Sequence, residues 1–294
     1  MQNVKLEREM KSGGLDKRWI FLAVGALVLA FLKLPLHLSY APNQKTLGVY
    51  KAIEGLPSGS IVYLSADYGP SSKAELLPMH RALVYHILNR DLKIIASSVW
   101  DSGPPLIDMV FKEVCEELKK QGKEKKYGID YVNLGYKSGQ DVAIAKIGTS
   151  IPETFPRDYL GTSVNQIPLM NGVINFSQIG LLCNLSVGSP GARQWLQQVQ
   201  TRYKVRMVAG VTAVMAPDLY SFYQSRQIEG FLGGLVGAAE YEYLLKRPGF
   251  AMSGMNVQSL THFLILGFVL LGNILFVSEI LRQRKAKEMK STST

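Results

Sequence analysis

The sequence predicts a three-layer α/β domain with a mostly parallel sheet, flanked by an N-terminal and a C-terminal transmembrane helix. Three observations carry that expectation. Short, almost continuously apolar runs alternate with segments of helical period between residues 61 and 224, the pattern of strands covered by helices on both faces. Two longer apolar runs lie beside short basic tails, as membrane spans do. Charged residues make up 19% of the 294-residue chain and hydrophobic ones 47%, which excludes a disordered chain.

The first apolar run begins at Trp19 and continues past Lys33 to Leu38. About 20 residues cross a bilayer, and a long lysine stem near one end reaches the headgroups by snorkelling. Trp19 and Tyr40 bracket the run as interfacial aromatics. The competing reading is a cleaved signal peptide, which fits the basic start but not the poor cleavage pattern at Ser39-Tyr40-Ala41. The second run, Leu260 to Val277, carries no formal charge. The chain is thus expected to divide into a basic tail (1–18), a span (19–40), an α/β domain (41–259), a second span (260–279) and a second basic tail (280–294).

Charge sets the expected orientation. The net charge is +10, from 33 basic and 23 acidic residues, and the two short tails carry half of it. Lys5, Arg8, Lys11, Lys17 and Arg18 precede the first run; Arg282, Arg284, Lys285, Lys287 and Lys290 follow the second. The positive-inside rule places both termini in the cytoplasm and the central domain outside the cytoplasmic membrane. A basic balance confined to tails that flank apolar runs is no nucleic-acid signature, so the expected partners are a lipid bilayer, a second copy or a membrane protein, and a small anionic ligand.

Within the domain, IVYLSAD (61–67) reads as a strand, followed by a turn and a helix over Lys73 to Asn89 that begins at Lys73 or at Pro78. LKIIASSVW (92–100) is the second strand, Leu106 to Lys120 the second helix, YVNLGY (131–136) the third strand and Gln140 to Ile147 the third helix. Residues 148–178 break the rhythm with three prolines, as a partner-binding arm or as a crossover covering the sheet. IGLLCNLS (179–186) and VRMVAGV (205–211) are the fourth and fifth strands, each followed by a helix. This alternation is similar to Rossmann-type domains in general, and the resemblance implies no particular activity.

Ligands of open parallel sheets sit beyond the carboxyl ends of the strands. The turns there supply Asp67, Ser71, Ser72, Asp101, Lys137, Ser138 and Ser189 as candidate ligand-binding residues. The bland reading is helix capping, which alone explains Gly, Ser, Pro and Asp in such turns. No dinucleotide fingerprint, P-loop, HExxH, CxxC or GxSxG occurs, so no cofactor or metal is expected. His80, near the start of the first helix, is a weak candidate for catalysis. Asn184 opens an Asn-x-Ser triplet but falls in a core strand.

Gly230, Gly233, Gly234 and Gly237 have GxxxG spacing on what reads as a helix, for close packing within the domain or for self-association. The functional expectation is a non-catalytic assembly or ligand-sensing protein. A membrane-anchored hydrolase or transferase working at the strand ends is the alternative.

Overall fold

The computed structural model describes residues 21–22, 24–26 and 41–291, excepting the side chains of 256, 260 and 283–291. The expected first span therefore lies outside the described residues, save for helical positions at 21–22 and 24–26. The chain divides into two compact units, Ser39–Met252 and the terminal segments Met1–Leu38 with Ser253–Thr294.

The larger unit holds a six-stranded, all-parallel sheet in the order β3-β2-β1-β4-β5-β6. Its elements are α1 (Gln44–Glu54), β1 (Ile61–Asp67), α2 (Lys73–Asn89), β2 (Lys93–Ser98), α3 (Gly103–Lys120), β3 (Tyr131–Tyr136), α4 (Gln140–Thr149) and α5 (Ile151–Thr154). After β4 (Leu181–Ser186), α6 (Ala192–Trp195) runs through a π turn (Leu196–Gln200) into α7 (Thr201–Tyr203). The series closes with β5 (Met207–Val211), α8 (Ala216–Gln224), β6 (Gly230–Gly233), α9 (Gly234–Leu244) and α10 (Phe250–Ser291). This is a Rossmann-like α/β fold, and strand order reverses between β1 and β4, whose register pairs Asp67 with Ser186.

Alternating strand residues supply the two cores. Tyr63, Ile95, Val132, Leu182 and Met207 face a cluster completed by Ile144 and Ile147 of α4 and by Trp195 and Val199. On the other face α2 packs between α3 and α9. Proline shapes two helix starts differently. Pro104 sits in the first turn of α3, where no N–H is needed. Pro78 sits inside α2, which nevertheless begins at Lys73; burial of Leu76, Met79 and Leu83 on the same helix outweighs the lost backbone bond.

Residues 148–178 are the crossover from β3 to β4. They form α5 and three 3₁₀ turns (Val164–Gln166, Pro168–Met170, Phe176–Gln178) that bury Ile151, Phe155, Ile167, Leu169 and Phe176 in the core. Their apolar residues have no period because they cover a sheet face from irregular backbone.

The glycine run differs from the expectation of a single helix. Gly230 and Gly233 lie in edge strand β6, and Gly234, at φ +61°, turns the chain into α9. A side chain at Gly230 would collide with the backbone of Lys45, Gly48 and Val49, and one at Gly48 with the carbonyl of Glu229. The glycines thus let α1 lie on β6 and cover an edge that would otherwise present unpaired backbone.

Glu242, 3% exposed, closes the domain's last turn. Its carboxylate accepts from the N–H groups of Gly249 (3.1 Å), just before α10, and of Ala251 (3.2 Å) and Met252 (2.9 Å) in its first turn. Burial raises its pKa against those donors. Arg247, beside it, is paired with Glu117 and stacked over Tyr85 at 4.6 Å.

Candidate functional site at the strand ends

Asp67 ends β1 at the switch point and is fully buried. Its Oδ1 accepts from the Val99 N–H at 2.9 Å and its Oδ2 from Asn184 Nδ2 at 2.8 Å and Trp195 Nε1 at 2.7 Å, while Ser65 Oγ lies 2.8 Å from both oxygens. Burial pushes its pKa up to about 6 despite these donors. The carboxylate ties the end of β2, strand β4 and α6 to β1. It is expected from the sequence to take donors from a polar ligand; in the structure it is fully buried and takes them from Ser65, Val99, Asn184 and Trp195 instead.

The network continues from Asn184. Ser186 Oγ donates to Asn184 Oδ1 at 2.7 Å and accepts from the Ala192 N–H at 3.0 Å. Asn184 is therefore a core amide rather than a glycosylation site. Ser186 forms the floor of a crevice of about 360 Å³ beyond the carboxyl ends of β4 and β5. One wall is Gly188, Ser189, Arg193 and Gln194; the other is Met215, Asp218, Leu219 and Phe222. Gln194 fixes the first wall by donating to Ser189 Oγ at 3.0 Å and accepting from the Gly191 N–H at 2.9 Å. The Arg193 guanidinium stands 6.0 Å from the centre of the Phe222 ring. A crevice with one polar wall and one largely apolar wall suits a small amphiphilic molecule.

The remaining sequence candidates do not converge on one place. Ser189 is exposed and lines this crevice. Lys137 lines a separate cavity at the end of β3. Ser71, Asp101 and Ser138 are exposed and line neither cavity, and Ser72 is buried where the turn after β1 enters α2. His80 is buried, with Nδ1 2.9 Å from the Tyr68 hydroxyl, and burial lowers its pKa to about 3. It lines neither cavity. Among the described residues no group of three or more His, Cys, Asp or Glu side chains is placed to hold a metal.

Sequence reasoning missed Arg193, Met215, Asp218, Leu219 and Phe222. Their signal was indirect: the helices after β4 and β5 had been placed, and their first turns necessarily flank the strand ends.

No protein-family model and no curated protein matches the sequence. Among solved structures, the crystal structure of the glycotransferase of kitacinnamycin overlaps 64% of this chain and 39% of its own, at 12% identity and a TM-score of 0.24. The chain spans well under half the length of that protein, and an overlap at this level carries no argument about activity.

Proposed function

We propose that this chain is a membrane-tethered sensor whose α/β domain binds a small amphiphilic anion in the crevice beyond β4 and β5. The observation that carries the reading is the crevice itself, with Ser189, Arg193 and Gln194 facing Met215, Asp218, Leu219 and Phe222 across about 360 Å³. The anion would approach Arg193, and its apolar part would lie on Leu219 and Phe222. The reading is non-catalytic because Asp67, at the switch point, is buried among protein donors, and His80 lines neither cavity.

The tether is the apolar part of α10. Phe250–Arg282 is long and apolar enough to cross a bilayer, and none of its most apolar window is buried. We pair it with the run at 19–40 as a second span and place the domain outside the cytoplasmic membrane, on the charge asymmetry of the tails.

One experiment addresses both parts. Ser189→Cys is introduced with Cys115→Ser, because Cys115 is partly exposed whereas Cys183 is buried. A membrane-impermeant maleimide is expected to label the new thiol in intact spheroplasts, and hexanoate is expected to slow that labelling. Labelling only after lysis would remove the orientation; labelling that hexanoate never slows would remove the ligand crevice.

A further inference from the structure

We propose a second binding site at the β3 end of the sheet, for a small organic anion carrying a flat ring. A cavity of about 370 Å³ opens there between the end of β3 and the loop after α5. Lys137 and Arg157 line it, and among the described residues neither forms an ion pair. The acid in the lining, Asp158, is 6% exposed. One of its oxygens accepts from the Tyr127 hydroxyl at 2.8 Å and the other from the Thr162 N–H at 2.7 Å. The charge offered to a ligand is therefore positive.

Two aromatic rings stand beside the cations. Tyr136 is 45% exposed and Tyr159 is 43% exposed, and both line the cavity. Tyr136 is the last residue of β3, paired with Ser98 of β2, and backbone bonds hold the residues beside it. The Tyr159 N–H donates to the Asn133 carbonyl at 2.9 Å, and the Lys137 N–H to the Ser98 carbonyl at 3.0 Å. Arg157 Nη1 donates to the Gly161 carbonyl at 2.7 Å, bracing the loop that carries Tyr159. Exposed rings on a fixed backbone lose little conformational freedom on binding. Phosphate or carboxylate satisfies the guanidinium and ammonium, and a ring on the ligand stacks on tyrosine.

The test uses the full chain in nanodiscs, titrated by calorimetry with phenyl phosphate, inorganic phosphate and phenol. Phenyl phosphate is expected to bind more tightly than either part. Lys137→Ala with Arg157→Ala should weaken it about tenfold or more, the scale of one charge-assisted contact. Tyr136→Ala with Tyr159→Ala should reduce it to the affinity of inorganic phosphate. Arg157 also braces its loop, so Lys137→Gln alone, with an unchanged melting temperature, provides the second reading. Absence of phenyl phosphate binding, or equal binding by Lys137→Gln and the wild type, would overturn the proposal. Loss of binding on Ser189→Trp would overturn it too, since the anion would then occupy the crevice beyond β4 and β5.

Discussion

The strand-end face of the sheet has two halves built from the same kinds of residue and put to opposite uses. Beyond β1 and β2, an aspartate, serines and a tryptophan close on one another around Asp67 and shut out solvent. Beyond β4 and β5, Gln194 bonds Ser189 on one wall, Arg193 and Asp218 form no ion pair among the described residues, and a crevice is left between the walls. Size and reach decide the difference. Trp195 extends its indole N–H across the sheet to Asp67, so α6 is drawn toward β1. Arg193, two residues earlier on the same helix, points the other way and remains exposed. Polar residues in a βα turn are thus no guide to binding until their partners are known.

Asp67→Ala breaks the closed half and carries the largest expected effect. It leaves the Trp195 and Asn184 donors and the Val99 N–H buried without acceptors. A loss of about 3–5 kcal/mol, the cost of orphaning a buried network, is expected in denaturant unfolding. A loss below 1 kcal/mol, on the same scale, would mean that Asp67 is no hub.

The next effect sharpens the comparison through pH. Asp67 titrates at about 6 in the folded chain against 3.8 in the unfolded one. The folded state holds the proton more tightly between those values, so this group's contribution falls as pH rises through that window. His80 has the opposite sign: its folded pKa of about 3 lies below its unfolded 6.5, and stability is lost as pH falls between them. The two contributions offset each other between about pH 4 and 6 in the wild type. Asp67→Asn removes one of them and is expected to steepen the acid loss of stability in thermal melts across that range. An unchanged slope would contradict the assigned burial cost.

Most of the architecture was legible because buried parallel strands are written as apolar runs, and Asp67, Asp101 and Ser189 end in turns that the rhythm places. Edge strand β6 was not, since it is short and half glycine, and glycine spacing reads equally as a helical packing face. Its sense depends on Gly48, far away in sequence, whose missing side chain admits the backbone of β6. The role of Asp67 was hidden for a similar reason: two of the donors that fill it, Asn184 and Trp195, come more than a hundred residues later. Lys137 and Ser189 were found as turn residues, but which cavity each lines follows from loop 148–178 and from α8, whose courses carry no local signal.

Glu242 gives the smallest expected effect and separates two roles that a buried carboxylate can play. If its charge fastened the first turn of α10, Glu242→Gln would lose about 1 kcal/mol, as helix capping and dipole terms do. The pKa of Glu242 is raised, with burial the largest cause, so desolvating the charge costs more than the three amides return. Glutamine keeps a carbonyl acceptor without that cost. The expectation is therefore a stability at pH 7 equal to or slightly above the wild type for Glu242→Gln. Glu242→Ala, which removes the acceptor altogether, should lose about 1–2 kcal/mol. The Gln and wild-type curves should also converge as pH falls through the raised pKa, where Glu242 becomes neutral too. A glutamine variant that melts well below the wild type at pH 7 and approaches it only in acid would show that the charge itself fastens the first turn of α10.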